Sequence, residues 1–144
     1  NKPKKRARHA KQTIRDGVDT TVMDFSTFSL YAEKAVPQIL ELMFSQKKEF
    51  CLIDDYCNRF VANPVTVRER YHDTIYAFSR RHQETPREPK TMRHVVRLAM
   101  NMEEMLMGDM RFNPTLPQGV VESLKASSVE QLEVWRDRIL TRLN

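Results

Sequence analysis

The sequence predicts a mainly α-helical fold, a helical bundle that opens with a short N-terminal β-hairpin. Three observations point there. From about Phe28 onward, apolar residues recur three or four positions apart, the spacing of a buried helix stripe. Eight methionines against three glycines make a helix-friendly composition. Near the start, Asp16-Gly17 lies between two segments of extended character, a strong short-range hairpin signal because both central turn residues need positive φ.

The hairpin arms run from Ala7 to Ile14 and from Val18 to Met23. In the second arm Val18, Thr20 and Val22 face one way, and Asp19, Thr21 and Met23 the other. Asp24 or Ser26 caps a first helix reaching about Lys34, with Phe28, Leu30 and Tyr31 as its apolar content. Pro37 suits the first turn of a second helix through Phe44. A short helix begins at Asp54 or Asp55 and ends near Asn63-Pro64. From Val65 to about Arg81, Val67, Tyr71, Ile75 and Phe78 form a stripe, while Arg68, Arg70, His72, Arg80, Arg81 and His82 cover the remainder. Gln83 to Lys90, with Pro86 and Pro89, reads as a loop. The next helix starts at Lys90 and stops at Gly108, in the position of a glycine cap. Asn113-Pro114 and Leu116-Pro117 mark a turn. The last helix begins at Ser127, with Glu130 at capping-box spacing, and its stripe is Val129, Leu132, Trp135, Ile139 and Leu143.

The length of 144 residues suits one domain, divided into a basic arm with hairpin over 1–24 and a helical part over 25–144. A hydrophobic fraction of 40% and a charged fraction of 30% describe a soluble globular protein. No apolar run approaches the roughly 20 residues that span a bilayer, and no secretory signal pattern is present. Cys51 and Cys57 lack the C-x-x-C spacing and read as reduced thiols, which suits a cytoplasmic location.

Charge picks out two candidate binding regions. The net +5 is uneven: Lys2, Lys4, Lys5, Arg6, Arg8, His9 and Lys11 fall in the first eleven residues with no acid among them. Lys4, Lys5, Arg6 and Arg8 are therefore candidate contacts to nucleic acid or another polyanion, although a solvated arm looks the same. No aromatic is interleaved there to stack on a base. The second region is the Lys90 helix. Residues three and four apart are neighbours on a helix, so Arg93, His94 and Arg97 converge, with Lys90 one turn earlier. Met92, Val95, Val96, Ala99, Met102 and Leu106 form the opposite, buried face. Such a cluster could grip a nucleotide phosphate or be an ordinary solvated face.

Other chemistries are excluded. His9, His72, His82 and His94 show no metal-ligand spacing and no H-E-x-x-H occurs. Asp54-Asp55 and Glu103-Glu104 are adjacent pairs that diverge on a helix. Cys51 has no identifiable base. Met100, Met102, Met105, Met107 and Met110 suit a core or a partner surface better than a cofactor box.

A family resemblance covers most of the chain. Phe28-Ser-Leu-Tyr-Ala32, Pro37 and Leu40-Glu-Leu-Met-Phe-Ser45, then Arg59-Phe60, then the spaced Tyr71 and Tyr76, then Lys90, His94, Arg97, Leu98 and Gly108 stand in that order. This order resembles a bacterial and phage group of predicted nucleotidyltransferases of the DNA polymerase beta superfamily. The resemblance implies transfer of a nucleoside monophosphate from a nucleoside triphosphate, with Mg2+ as cofactor, since paired metals stabilise attacking and leaving oxygens. It implies Asp19 as a catalytic carboxylate and metal ligand, Asp24 being the alternative, and Lys90, Arg93, His94, Arg97 and Tyr76 as nucleotide or substrate contacts. The Gly-Ser turn and the Asp-x-Asp pair of that superfamily do not occur in these 144 residues. The expectation is that a catalytic half lies upstream of Asn1, with 1–24 a remnant of its sheet, or has been lost. This chain alone should then be inactive. Val121 to Leu140 is also similar to the C-terminal helix of a transposase-related nuclease family, without that family's metal ligands. The competing functional class is a non-catalytic basic helical module that binds nucleic acid or a protein partner.

Overall fold

The computed structural model describes residues 10–46, 52–85 and 89–144. Within them the chain is mainly α, with an antiparallel hairpin first. The order is β1 (Ala10–Arg15), β2 (Val18–Met23), α1 (Phe25–Glu33), α2 (Pro37–Phe44), α3 (Asp54–Arg59), α4 (Pro64–Glu84), α5 (Lys90–Met107), α6 (Gln118–Ala126) and α7 (Val129–Arg142). The first nine residues, and with them Lys4, Lys5, Arg6 and Arg8, lie outside the described residues, as does Cys51.

The turn forms as its chemistry requires. Asp16 has φ 50° and Gly17 φ 75°, the left-handed pair of a two-residue hairpin turn, which asparagine, aspartate and glycine tolerate. Ile14 then pairs with Asp19 and Arg15 with Val18. The hairpin faces water: Ile14, Val18 and Val22 are each at least 60% exposed. Among the described residues of the two strands, Met23 is the apolar side chain that packs against the helical core.

α5 is the central element, packed against both α4 and α7. The expected stripe is buried at Met92, Val95, Val96, Ala99 and Met102, with Leu106 half-buried against the core. Leu98 and Met105 are buried as well, because a helix flanked by two others is covered on more than one face. Met107, by contrast, is 75% exposed. On α4, Val67, Tyr71 and Ile75 are buried one turn apart. α7 contributes Leu132 and Ile139, with Trp135 half-buried beside them.

Helix ends are built from sequence-local chemistry and from borrowed arginines. Asp24 Oδ1 accepts from Thr27 N at 2.7 Å, and Asn63 Oδ1 accepts from Val65 N at 2.9 Å, as N-cap side chains do. Arg68 donates to Leu143 O at 2.6 Å and Arg70 to Lys34 O at 3.2 Å, each closing a helix C-terminus. Arg111 donates to both Phe60 O and Cys57 O at 3.1 Å and lies over the Phe44 ring, 4.4 Å from its centroid.

Several boundaries differ from the sequence reading. α3 stops at Arg59, and an extended stretch leads to the Asn63 cap. α4 continues to Glu84, past the expected end at Arg81. Gly108 follows α5 but is not left-handed, with φ −128° and ψ −134°. Its need for glycine is steric: a Cβ there would sit 3.0 Å from Glu104 O. The left-handed residue is Met110, at φ 64°. The last helix is capped by Ser128 with Gln131, not by Ser127 with Glu130. Ser127 ends α6 instead, its hydroxyl donating to Ser123 O at 2.7 Å. α6 itself has no counterpart in the sequence reading, and Leu124 is its one buried residue. The stretch Val121 to Leu140 is accordingly two helices, not one.

A cationic cleft between α5 and α6

The first two turns of α5 carry Lys90, Arg93, His94 and Arg97 on one wall of a cleft of about 630 Å³. The buried stripe on the other side of the helix fixes which way this wall faces. Pro114, Thr115 and Leu116 from the connecting loop, and Val121, Leu124 and Lys125 from α6, complete it. The four α5 residues singled out by spacing thus share one concavity, with an apolar floor and a fifth basic group opposite. No carboxylate lines it among the described residues.

The five side chains differ in how they are held. Arg97 Nη2 donates to Glu41 Oε1 of α2 at 3.2 Å, both side chains being 39% exposed. His94 stands edge-on to the Phe78 ring of α4, centroids 5.0 Å apart. Burial pushes the His94 pKa below its ordinary value, the neighbouring Arg97 pushes the same way, and Glu41 opposes them. Lys90, Arg93 and Lys125 have neither an ion pair nor a side-chain hydrogen bond among the described residues. Elsewhere many basic side chains are already engaged, as with Arg59 and Asp55 at 3.1 Å or Arg142 and Glu103 at 2.8 and 3.0 Å. Unpaired cations gathered over an apolar floor create a positive potential that is poorly screened, which is the condition for holding a phosphate or carboxylate.

The remaining predicted residues do not join this cleft. Tyr76 is 68% exposed and lines a separate groove between α4 and α7 with His72, Arg80 and Arg136. Four residues, or about one turn, separate Tyr76 from Arg80, so both fall on the face turned towards α7. Asp19 is exposed on β2, where Gln12 Nε2 donates to its two oxygens at 2.9 and 3.0 Å. Asp24 is a helix cap. Among the described residues no group of three or more His, Cys, Asp or Glu side chains is placed to hold a metal ion, and no helix is long and apolar enough to cross a membrane. Lys125 and Glu41 are additions that spacing could not reveal, since each belongs to another helix.

Compared with protein-family models, curated proteins and solved structures, the chain matches none.

Proposed function

We propose that this chain is the phosphate-gripping helical portion of a metal-dependent nucleotidyltransferase, and that the α5–α6 cleft receives the phosphates of a nucleoside triphosphate. One observation carries the reading: Lys90, Arg93, His94, Arg97 and Lys125 line one cleft with no carboxylate among its described lining residues, and Arg97 alone of them is paired, with Glu41 from outside it. Cation–phosphate hydrogen bonds are about twice as strong as neutral ones. The apolar wall of Pro114, Leu116 and Val121 offers a surface for a base or sugar. A volume of about 630 Å³ lies within the range of small-molecule sites. The resemblance to the DNA polymerase beta superfamily supplies the reaction class, with a nucleic acid end, a protein side chain or a small molecule as acceptor.

The described donors do not fit the two Mg2+ ions that this class uses. Asp19 is the one carboxylate on the hairpin strands, and its oxygens are engaged by Gln12. Magnesium is held by carboxylates together with substrate phosphates, so the chain's own contribution is to bind and orient. The same lone carboxylate favours a second reading, a non-catalytic module that binds nucleic acid through its basic surface.

Two assays test the pair. Titrating ATP into the 144-residue chain should give saturable binding that Arg97→Ala and Lys90→Ala each weaken roughly tenfold. Unchanged affinity in both variants would return α5 to ordinary amphipathic packing. Incubation with radiolabelled nucleoside triphosphates and magnesium should leave incorporation at background, and robust incorporation would overturn the assignment of this chain as the binding portion only.

A further inference from the structure

Beyond Arg97, α5 borders a second concavity. This groove of about 850 Å³ is lined by Met100, Asn101 and Met107 of α5, with Leu116 and Val120 opposite. Thr115 and Leu116 line both the groove and the cationic cleft, so the two are neighbours along α5. Asn101 is 7% exposed, and among the described residues its side chain makes no hydrogen bond. The side-chain polar atoms sealed in the described core without a partner are Tyr71 Oη and His82 Nδ1, so the Asn101 amide opens on the groove instead. Buried amides in native proteins nearly always have partners, and one that meets a groove without any leaves a donor and an acceptor for a ligand. The charged groups beside it are engaged. Glu104 Oε2 accepts from Asn113 N at 2.9 Å, and Arg142 donates twice to Glu103, at 2.8 and 3.0 Å.

We propose that this groove is the base-binding half of the nucleotide site, where the Asn101 amide pairs with the edge of a nucleobase. The proposal rests on the phosphate-binding reading of the neighbouring cleft and gives the nucleotide a direction. An amide sets an acceptor beside a donor, and each nucleobase has an edge that matches it, as adenine does at N6 and N7. A phosphate in the groove would face Glu103 and Glu104, whereas the cleft at the start of α5 offers it cations. Phosphates therefore belong at the start of α5 and the base nearer its end. Met100, Met107, Leu116 and Val120 supply apolar contact for a flat ring, and methionine side chains adapt to its shape. Arg93 and Asn101 are eight residues apart, about 12 Å of helix. The ribose and phosphate chain of one nucleotide bridge such a distance.

Comparing nucleotides with a bare phosphate chain separates the two halves. ATP, GTP, CTP, UTP and inorganic triphosphate are each titrated into the wild-type chain and Asn101→Leu, with melting temperatures measured alongside. Leucine keeps the branched shape of asparagine and removes an unpartnered amide, so the melting temperature should hold or rise. If it falls instead, Asn101→Ser replaces the leucine variant, since a hydroxyl is too short to pair with a base edge. At least one nucleotide should bind wild type about tenfold tighter than inorganic triphosphate, the worth of a pair of neutral hydrogen bonds. The Asn101 variant should lose that advantage and bind inorganic triphosphate as wild type does. Nucleotides that bind wild type no better than inorganic triphosphate would overturn the base site and leave the phosphate cleft standing. An advantage that survives the substitution would overturn it as well. So would an equal loss for nucleotide and inorganic triphosphate, because Asn101 would then only shape the cationic wall. If wild type binds none of the five ligands, the phosphate reading itself fails and the base site with it.

Discussion

α5 and the β-hairpin both carry charged residues that the sequence singles out, and they are built oppositely. The cations of α5 stand on a helix whose other faces are buried at Met92, Val95, Val96, Ala99 and Met102, so packing dictates where they point. Asp19 stands on a hairpin whose apolar side chains Ile14, Val18 and Val22 remain exposed, tied to the core by Met23. A charged cluster becomes a site when its element is anchored within the chain. A lone carboxylate on a lightly anchored ribbon needs something further to complete it.

The largest expected effect tests the anchoring itself. Met102→Ala should cost roughly 2–5 kcal/mol of stability in chemical denaturation, because a fully buried side chain leaves a cavity on deletion. Val22→Thr, on the open face of the hairpin, should stay within about 0.5 kcal/mol. A penalty above roughly 1 kcal/mol at Val22 would mean the hairpin face is packed, and the contrast would collapse.

Next comes a comparison between two arginines. Among the described residues Arg93 has no ion pair in the cleft, whereas Arg80 lies in the α4–α7 groove with Glu84 Oε1 at 3.0 Å. Arg93→Ala should weaken pyrophosphate binding roughly tenfold, the worth of a hydrogen bond to a charged group. Arg80→Ala should leave it unchanged. Equal losses would show that the protein attracts anions by overall charge alone.

A smaller effect follows from His94. Its pKa is held below the ordinary 6.5 by burial first and then by Arg97, against Glu41. The unfolded chain therefore binds the proton more readily than the folded one. Stability is fully present above about pH 6.5 and declines as pH falls from there towards the lower folded value. Anion binding has the opposite sign, since a bound dianion favours imidazolium and affinity should rise a few-fold between about pH 7.5 and 5.5. Sulfate, which keeps its charge over that range, isolates the protein's titration. His94→Gln should flatten both trends. A sulfate affinity that rises equally in the variant would move the titration to another group.

Most of the fold was legible because local rules dominate it. Asp16-Gly17, the Asp24 cap and Pro37 act through backbone geometry within three residues, and helical stripes report burial at one helix at a time. The errors have the same origin. Ser127 and Ser128 both satisfy a capping spacing, and only the preceding helix decides between them. α6 buries one residue, so it has no stripe to read. The cleft was half legible: Lys90, Arg93, His94 and Arg97 share one helix, while Lys125 lines it from α6 and Glu41 meets Arg97 from α2 through tertiary packing. Tyr76 was grouped with them by resemblance, yet it lies in another groove.

The smallest expected effect concerns Asp19. Its carboxylate accepts twice from Gln12 on an exposed ribbon, and exposed side-chain pairs contribute little to stability. Asp19→Asn should therefore leave the melting temperature of the 144-residue chain unchanged within error. If a protein joining these residues to a Gly-Ser and Asp-x-Asp half transfers nucleotides, the same substitution should abolish label incorporation there, since metal-bridged phosphoryl transfer depends on each ligand carboxylate. Loss of activity without loss of stability would assign Asp19 to the reaction. A fall of several degrees in the isolated chain would make it a strand-pairing residue, and retained transfer in the joined protein would remove it from the metal site.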